Sequence, residues 1–573
     1  MATLTVESNS AFCFSRQNRL RLGVLLDSLT MPKWASHLLQ EIEKSPAAEL
    51  VVLVTNDGAP SARTEVRTDP IPKMLQLWFE LDRKLFAGRS PNPDINKTVL
   101  FTPTNGCVIA QNRGDCRLSA RTAAELHSMQ LDLILNLSSP DFGAELQKAA
   151  KHGVCWFNDD RDLLKELFWF LKNDAVVEST INIRSNGHAT TTLPARYSPI
   201  DKYSFFRNFG LASEKRWTAL QRYLAEIQCD GGQSVSTIPL ASTLPVHAAP
   251  GNIETVVLIL RLLGRMLREQ WTKRVRSEGW FIAFRRVQPV EDRNVAEDGL
   301  TLLRPPAGHF YADPFAIDKN DKTYIFFEDY CYASQKAAIS FVVIDSNGKC
   351  SSPDVALEEE YHLSFPSLFE WDGEIYLLPE TKDNRTVQLY RAIEFPHRWE
   401  LSHVLLQNVS AVDSTLLRYE NKFWLFTCGL NSRHPWFDGD DELFLFSADS
   451  LNGPWAAHPK NPIVADVRNC RSAGQIMQWG NQLIRPAQDC AAHYGSAVVF
   501  NHIEVLSDDS YRETPIARIA RDWLPGNRGT HTFNRSHSYE VWDGRTLVGK
   551  FWKTRREPHF ERAMLMKSLF RPV

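Results

Sequence analysis

The sequence predicts a multidomain protein: an N-terminal α/β open-sheet domain followed by an all-β five-bladed propeller. Three observations carry this expectation. Residues 20–160 alternate apolar strands with helical patterns, the signature of an open sheet. Residues 231–253, rich in Gly, Ser, Thr and Pro, read as a linker. From Tyr311 onward, a short motif, a tight turn and an aromatic-rich strand recur about every 50 to 60 residues, the period of propeller blades. The boundaries follow as 1–230, 231–279 and 280–573.

In the first domain, Leu20–Leu26, Glu49–Val54, Leu131–Leu137 and Val154–Phe157 read as buried strands. Met31–Lys44 has helical periodicity, with Pro32 where a first turn tolerates it. A further helix is expected around 144–150. No Gly-x-Gly-x-x-Gly follows the first strand, so the dinucleotide fingerprint is absent. The loop Asp27-Ser28-Leu29-Thr30 suits a helix cap, and it also lies where open sheets bind ligands.

After the linker, residues 254–276 form a basic amphipathic helix. Val257, Leu260, Leu263, Leu267 and Trp271 alternate with Arg261, Arg265, Arg268, Lys273 and Arg274. Such a helix packs between domains or lies on an anionic membrane surface. The strand Trp280–Phe284 is expected to open the propeller and pair with its last blade.

The five motifs are Tyr311-Ala312-Asp313-Pro314-Phe315, Leu363-Ser364-Phe365-Pro366-Ser367, Val412-Asp413-Ser414-Thr415-Leu416, Arg471-Ser472-Ala473-Gly474-Gln475 and Thr530-His531-Thr532-Phe533-Asn534. Their hairpin signals are Asn320-Asp321, Trp371-Asp372-Gly373, Tyr419-Glu420-Asn421, Trp479-Gly480-Asn481 and Trp542-Asp543-Gly544. The first strand of a blade lines the channel, so Asp313, Asp413, Arg471 and His531 are expected around one axis.

Composition excludes several classes. At 573 residues the chain exceeds one core. Net charge is −3, which makes no case for nucleic acid. The ten cysteines form no Cys-x-x-Cys pair, so no zinc site is expected and free thiols in a reducing cytoplasm are. Residues 1–18 lack a signal layout, and no apolar run is long enough to span a bilayer.

Two resemblances add to this reading. Residues 20–225 resemble the formyltransferase-like domain of some bacterial sugar-modifying proteins, through Leu22–Asp27, Asp132–Ser138 and Gly153–Phe157. Active formyltransferases carry Asn-x-His after that last strand. Here the stretch is Asn158-Asp159-Asp160, so formyl transfer is not expected and a scaffolding role is. Residues 300–515 resemble the propeller of the plant glucosamine inositolphosphorylceramide transferases. The match rests on Ala312–Phe315, Leu363–Pro366, Gly373–Thr381, Val412–Ser414, Gly453–Trp455, Lys460–Ile463 and Gln488–Cys490. This domain is similar to the fold of glycoside hydrolase family 43. The plant proteins carry a separate glycosyltransferase domain after it, for which 573 residues leave no room, so their activity does not carry over directly.

The family-43 resemblance implies Asp313 as base and Asp413 as the orienting carboxylate. The acid position in the fourth blade is held by Arg471 instead, and Glu380 is the nearest replacement acid. Arg471, Arg485 and His531 bring positive charge that suits a phosphate. Glu328, Gln488 and Asp489, at second-strand ends, are expected to orient a ligand. His309 and His362 are weaker candidates. The expected function is a cytoplasmic glycosyltransferase of surface glycan or glycolipid assembly, peripheral at the inner face of the membrane through 254–276. It would use a phosphate-activated sugar donor, a glycan or glycolipid acceptor and no cofactor. A family-43-type hydrolase and a non-catalytic glycan-binding module are the alternatives.

Overall fold

The computed structural model describes residues 19–26, 28–45, 48–56, 72–87, 98–104, 107–111, 120–138, 144–157, 176–185, 190–230, 238–239, 250–287, 299–430, 441–549, 557–565 and 569–572. The chain divides into two compact units, with the boundary between Leu267 and Arg268. Most of the segment read as a linker, and the Asn158–Asp160 stretch, lie outside the described residues.

The N-terminal unit is built on an eight-stranded sheet. Five parallel strands run in the order Val154–Phe157, Leu133–Asn136, Leu20–Leu25, Ala48–Asn56 and Cys107–Gln111. They are near-continuous Val, Ile and Leu runs because both faces are covered. Leu38, Leu39 and Ile42 of helix Lys33–Lys44 pack one face with Leu220 and Leu224 of helix Phe205–Asp230. Leu126, Leu146 and Ala149 cover the other. The open sheet is mixed rather than all parallel. Ile181–Arg184, Thr191–Thr192 and Ile238–Pro239 extend it antiparallel. Pro32 ends a three-residue strand, Thr30–Pro32, rather than sitting inside the helix.

The C-terminal unit has five blades, three of four strands and two of five. Their inner strands are His309–Lys319, Ser364–Trp371, Val412–Tyr419, Met477–Trp479 and Phe533–Arg535. The fifth blade closes the ring: Arg276–Arg286 pairs with Tyr539–Gly549 along the full length of both strands. The predicted pairing of Trp280–Phe284 with the last blade therefore holds. Phe281, Trp523 and Trp542 form the aromatic core of this closure, with the two Trp rings edge to face at 5.6 Å.

Four predicted hairpins are in place, with left-handed φ at Asn320 and Asp321, at Asp372 and Gly373, at Glu420 and Asn421, and at Gly480. The fifth is corrected. Trp542-Asp543-Gly544 lies within the strand Tyr539–Gly549, and the turn falls at Ser536–Ser538. The inner strand of this blade is so short that the turn comes early and moves Asp543 to the axis. Cys107, Cys155, Cys331, Cys350, Cys428, Cys470 and Cys490 are free thiols.

One backbone device repeats on the axis. In the first three blades the inner strand bulges: Ala312 pairs with Glu328, and the ladder resumes at Phe315 with Phe326. Ser364 and Glu380, then Val412 and Cys428, precede the same skip. The bulged residues Asp313, Phe365 and Asp413 have φ of 51°, 46° and 48°. Left-handed φ in such residues costs energy and needs anchoring. Gly474 takes the corresponding role in blade four at φ 141°. A Cβ there would stand 2.1 Å from the Phe533 carbonyl oxygen.

Candidate active site

Each bulge amide is anchored by a carboxylate of the preceding blade. Asp313 N–H donates to Asp543 Oδ2 at 3.3 Å, and Phe365 N–H to Asp313 Oδ2 at 3.2 Å. Asp413 N–H donates to Glu380 Oε2 at 3.1 Å. The motif recurrence thus brings carboxyl groups from successive blades to one centre. Register explains the rest. Glu328 and Glu380 sit across from the residue before each bulge, and Asp543 holds the like place in blade five, across from Thr532.

Asp313 is buried. Its Oδ1 accepts the Thr532 hydroxyl at 2.6 Å and lies 3.4 Å from His531 Nε2. Burial pushes its pKa up, the His531 charge pulls it down, and Asp413 and Asp543 push up again, to about 6. His531 contacts Asp543 through Nδ1. Burial would lower the pKa of His531, but Asp543 and Asp313 outweigh it, so the net shift is upward. The two carboxylates that flank the ring thus favour its protonated form. Trp280 stacks on the His531 ring at 4.0 Å, and Tyr494 meets it edge-on at 5.3 Å.

Asp413 is bound from blade four. Its Oδ2 accepts Arg471 Nε at 2.5 Å and Gln488 Nε2 at 2.8 Å. The Arg471 guanidinium also lies over the Tyr494 ring at 4.9 Å. Burial and the neighbouring Asp413 raise Glu380 to about 8, against the opposing pull of Arg471. Burial, then Asp313, Glu380 and Asp413, raise Glu328 well above the carboxylate range. The Ala337 amide donates to His362 Nδ1, which leaves the ring proton on Nε2, 3.3 Å from Glu328 Oε1. His362 therefore belongs to this cluster.

Asp313, Glu328, Glu380, Asp413, Arg471, Gln488 and His531 are thus joined through contacts or direct electrostatic coupling. Two expected members are not. Arg485 lies three residues before Gln488 on the same strand, hence on its opposite face. Its guanidinium makes a two-point pair with Glu513, at 2.6 and 2.8 Å, and donates to the carbonyls of Cys470 and Asn469. It is a structural ion pair, not a phosphate ligand. Asp489 caps the amide of Ala491 at 3.1 Å and faces Arg518 at 3.6 Å. His309 binds Asp329 at 2.7 Å.

Sequence reasoning missed Asp543, Thr532, Trp280 and Tyr494. Thr532 stood inside its motif, and Asp543 was hidden in a turn-like tripeptide. Asp313, His531 and Asp543 could together hold a metal ion, with one ligand atom from each and all within 4.8 Å of one another. A cation there would first displace the imidazolium proton.

Beside the centre, Phe310 and Tyr330 stack at 4.6 Å as a cross-strand pair, two residues from Ala312 and Glu328 and so on the same face of blade one. Tyr332 and His362 flank Tyr330 at 5.5 and 5.9 Å. Chemically, the cluster offers a buried base near neutrality, a carboxylic acid that keeps its proton at pH 7, and an aromatic wall.

Residues 300–551 match the family described as glucosamine inositolphosphorylceramide transferase 1, N-terminal. A protein of that name from Oryza sativa subsp. japonica is 33% identical over 265 residues, 45% of this chain and 35% of the relative. Its namesake from Arabidopsis thaliana is 32% identical over 276 residues, 44% and 35% of the two chains. The chain thus covers about a third of the length of these curated relatives. The propeller is similar to their N-terminal region, as the motifs from Ala312 to Cys490 implied. Among solved structures, a family 117 glycoside hydrolase from Zobellia galactanivorans aligns at TM-score 0.30 and 12% identity, over 47% of this chain and 90% of its own. A family 43 β-xylosidase/α-arabinofuranosidase from a compost metagenome aligns at 0.29 and 11%, over 42% and 93%. At these scores nothing about the chemistry follows from the alignments.

Proposed function

We propose that the propeller is the catalytic domain of a glycosyltransferase that moves a sugar from a phosphate-activated donor to a glycan or glycolipid acceptor. The observation that carries this is the pair of carboxyls placed on either side of neutrality, Asp313 at about 6 and Glu380 at about 8. Such a pair supplies a base and an acid at one pH. Asp313 takes the proton of the acceptor hydroxyl and holds it as the carboxylic acid, its Oδ1 beside His531 Nε2 at 3.4 Å. Asp413 orients Arg471 and, through its amide, Glu380. Arg471 faces the donor phosphate, and Phe310, Tyr330 and Tyr332 stack against a sugar ring. The names of the plant relatives support transfer over hydrolysis.

One observation favours a second reading, glycoside hydrolysis. Arg471 is already neutralised by Asp413, and Arg485 is committed to Glu513. A phosphate would have to share Arg471 with Asp413, whereas a glycoside leaving group needs only the proton on Glu380.

The pH profile tests the site and separates the readings. Asp313 must be ionised, so kcat/KM should fall below about pH 6. If Glu380 protonates the leaving oxygen, the rate should also fall above about pH 8, and Glu380→Gln should remove that limb with most of the activity. A phosphate leaving group needs less acid help, so a donor of that kind should show a shallow basic limb. A profile flat from pH 5 to 9 would remove both readings.

Of the N-terminal unit we propose a formyltransferase-like scaffold without formyl transfer. The full chain should leave a formyl-tetrahydrofolate donor unconsumed, and steady deformylation would refute this.

A further inference from the structure

The helix Asn252–Val275 leaves an apolar stripe bare. Ile253, Leu260, Leu267 and Trp271 are 81%, 61%, 72% and 67% exposed, and Val256, Val257 and Leu263 fill the gaps between them. At 3.6 residues per turn these positions share one face about 100° wide or somewhat more. The opposite face is used: Ile259 and Leu262 pack against Leu75, Trp78 and Phe205. Helix Lys73–Ala87, whose Met74 amide donates to Asn252 Oδ1, likewise exposes Leu77, Leu81 and Leu85. A bare stripe of this extent calls for a cover.

The charges indicate which cover. The helix carries five basic residues, Arg261, Arg265, Arg268, Lys273 and Arg274, against two acidic ones, Glu254 and Glu269, in a chain of net charge −3. Arg265 turns to the packed side, where it donates to the Lys202 carbonyl. Arg261 and Arg268 are exposed and border the stripe on one side, one helical repeat apart. Cations along the edge of an apolar face match the headgroup layer of an anionic bilayer, into which the leucines and Trp271 would sink. No helix among the described residues is long and apolar enough to cross a membrane.

We propose that the 252–275 helix docks the protein on an anionic lipid surface, lying in the plane of the headgroups. This rests on the helix alone and holds whatever the propeller catalyses.

The test is sedimentation of the full chain with vesicles of phosphatidylcholine containing phosphatidylglycerol, and with phosphatidylcholine alone. Binding is expected to the first, weakly if at all to the second, and to fall with added salt. Arg261→Gln with Arg268→Gln should lower partitioning roughly 25-fold, two charges at about fivefold each. Leu260→Glu with Leu267→Glu, both at exposed positions and so without cost to the fold, should abolish it. Equal binding to both vesicle types, or leucine variants that bind as the parent does, would overturn the proposal. So would a lack of vesicle binding accompanied by a concentration-dependent dimer that the same variants dissolve, since the stripe would then be covered by a second copy.

Discussion

Asp313→Asn is expected to lower turnover by about 10²–10⁴-fold, the usual contribution of a positioned base, while the fold survives. The amide fits the same hydrogen bonds. Its oxygen accepts the Phe365 amide, and its nitrogen faces Thr532, whose hydroxyl can turn from donor to acceptor. Stability should not suffer near neutral pH. The carboxyl of Asp313 has a raised pKa in the folded protein, so folding holds that proton more tightly than the unfolded chain does. Its contribution is present below the unfolded carboxylate pKa and is lost as pH rises toward about 6. A neutral amide removes that loss. What the amide cannot do is take a proton or balance His531, 3.4 Å away, whose pKa should fall toward the ordinary imidazole value. Steady-state rates, an unfolding midpoint and an imidazole titration together check this. A variant with parental turnover would take Asp313 out of the chemistry.

Arg485→Ala is expected to cost about 3–5 kcal/mol of stability and to leave donor affinity unchanged in whatever protein still folds. Glu513 is buried and would lose its cation, and the carbonyls of Cys470 and Asn469 would lose their donor. Replacing both partners, Arg485→Met with Glu513→Leu, should recover much of that loss, because no buried charge is then left unpaired. Denaturant unfolding of the two single variants and the double variant measures it. If Arg485→Ala kept parental stability and lost donor binding, the guanidinium would be a ligand after all.

These two residues show how far the sequence could be read. The blade motifs were legible because the bulge recurs at one place in each of the first three blades, and in two of them an Asp, which tolerates left-handed φ better than most residues, fills it where blade two has Phe365. Asp313 and Asp413 stand out for that reason. Glu328 and Gln488 were found from their place at second-strand ends. Glu380 came from the resemblance, and the hydrogen bond its carboxylate accepts from the Asp413 backbone N–H places it in the centre. Arg485 was misread because strand parity was not applied: Gln488 faces Asp413, so a residue three positions earlier faces away. Asp543 was misread because Trp-Asp-Gly is a turn at Trp371–Gly373 and a strand at Trp542–Gly544. Only the length of the preceding strand tells them apart. His531 was found, but as a substrate ligand. Its two ring nitrogens face Asp313 and Asp543, so under the proposed mechanism it would position the base.

The N-terminal unit divides the same way. Its parallel strands, four to nine residues long, are mostly apolar runs that burial on both faces demands. The antiparallel extension comes from strands of two to four residues, too short to show a period.

The most direct test of the central claim is product formation by the purified full chain. It would be offered nucleotide sugars and polyprenyl-phosphate sugars with a glycolipid acceptor, and separately simple glycosides in water, with Asp313→Asn run in parallel. Sugar should appear on the acceptor, only from a phosphate-activated donor, and its yield should collapse in Asp313→Asn. Release of free sugar from a glycoside, with no transfer from any activated donor, would contradict the transferase account. Transfer that persists undiminished in Asp313→Asn would contradict the assignment of the propeller axis as its site.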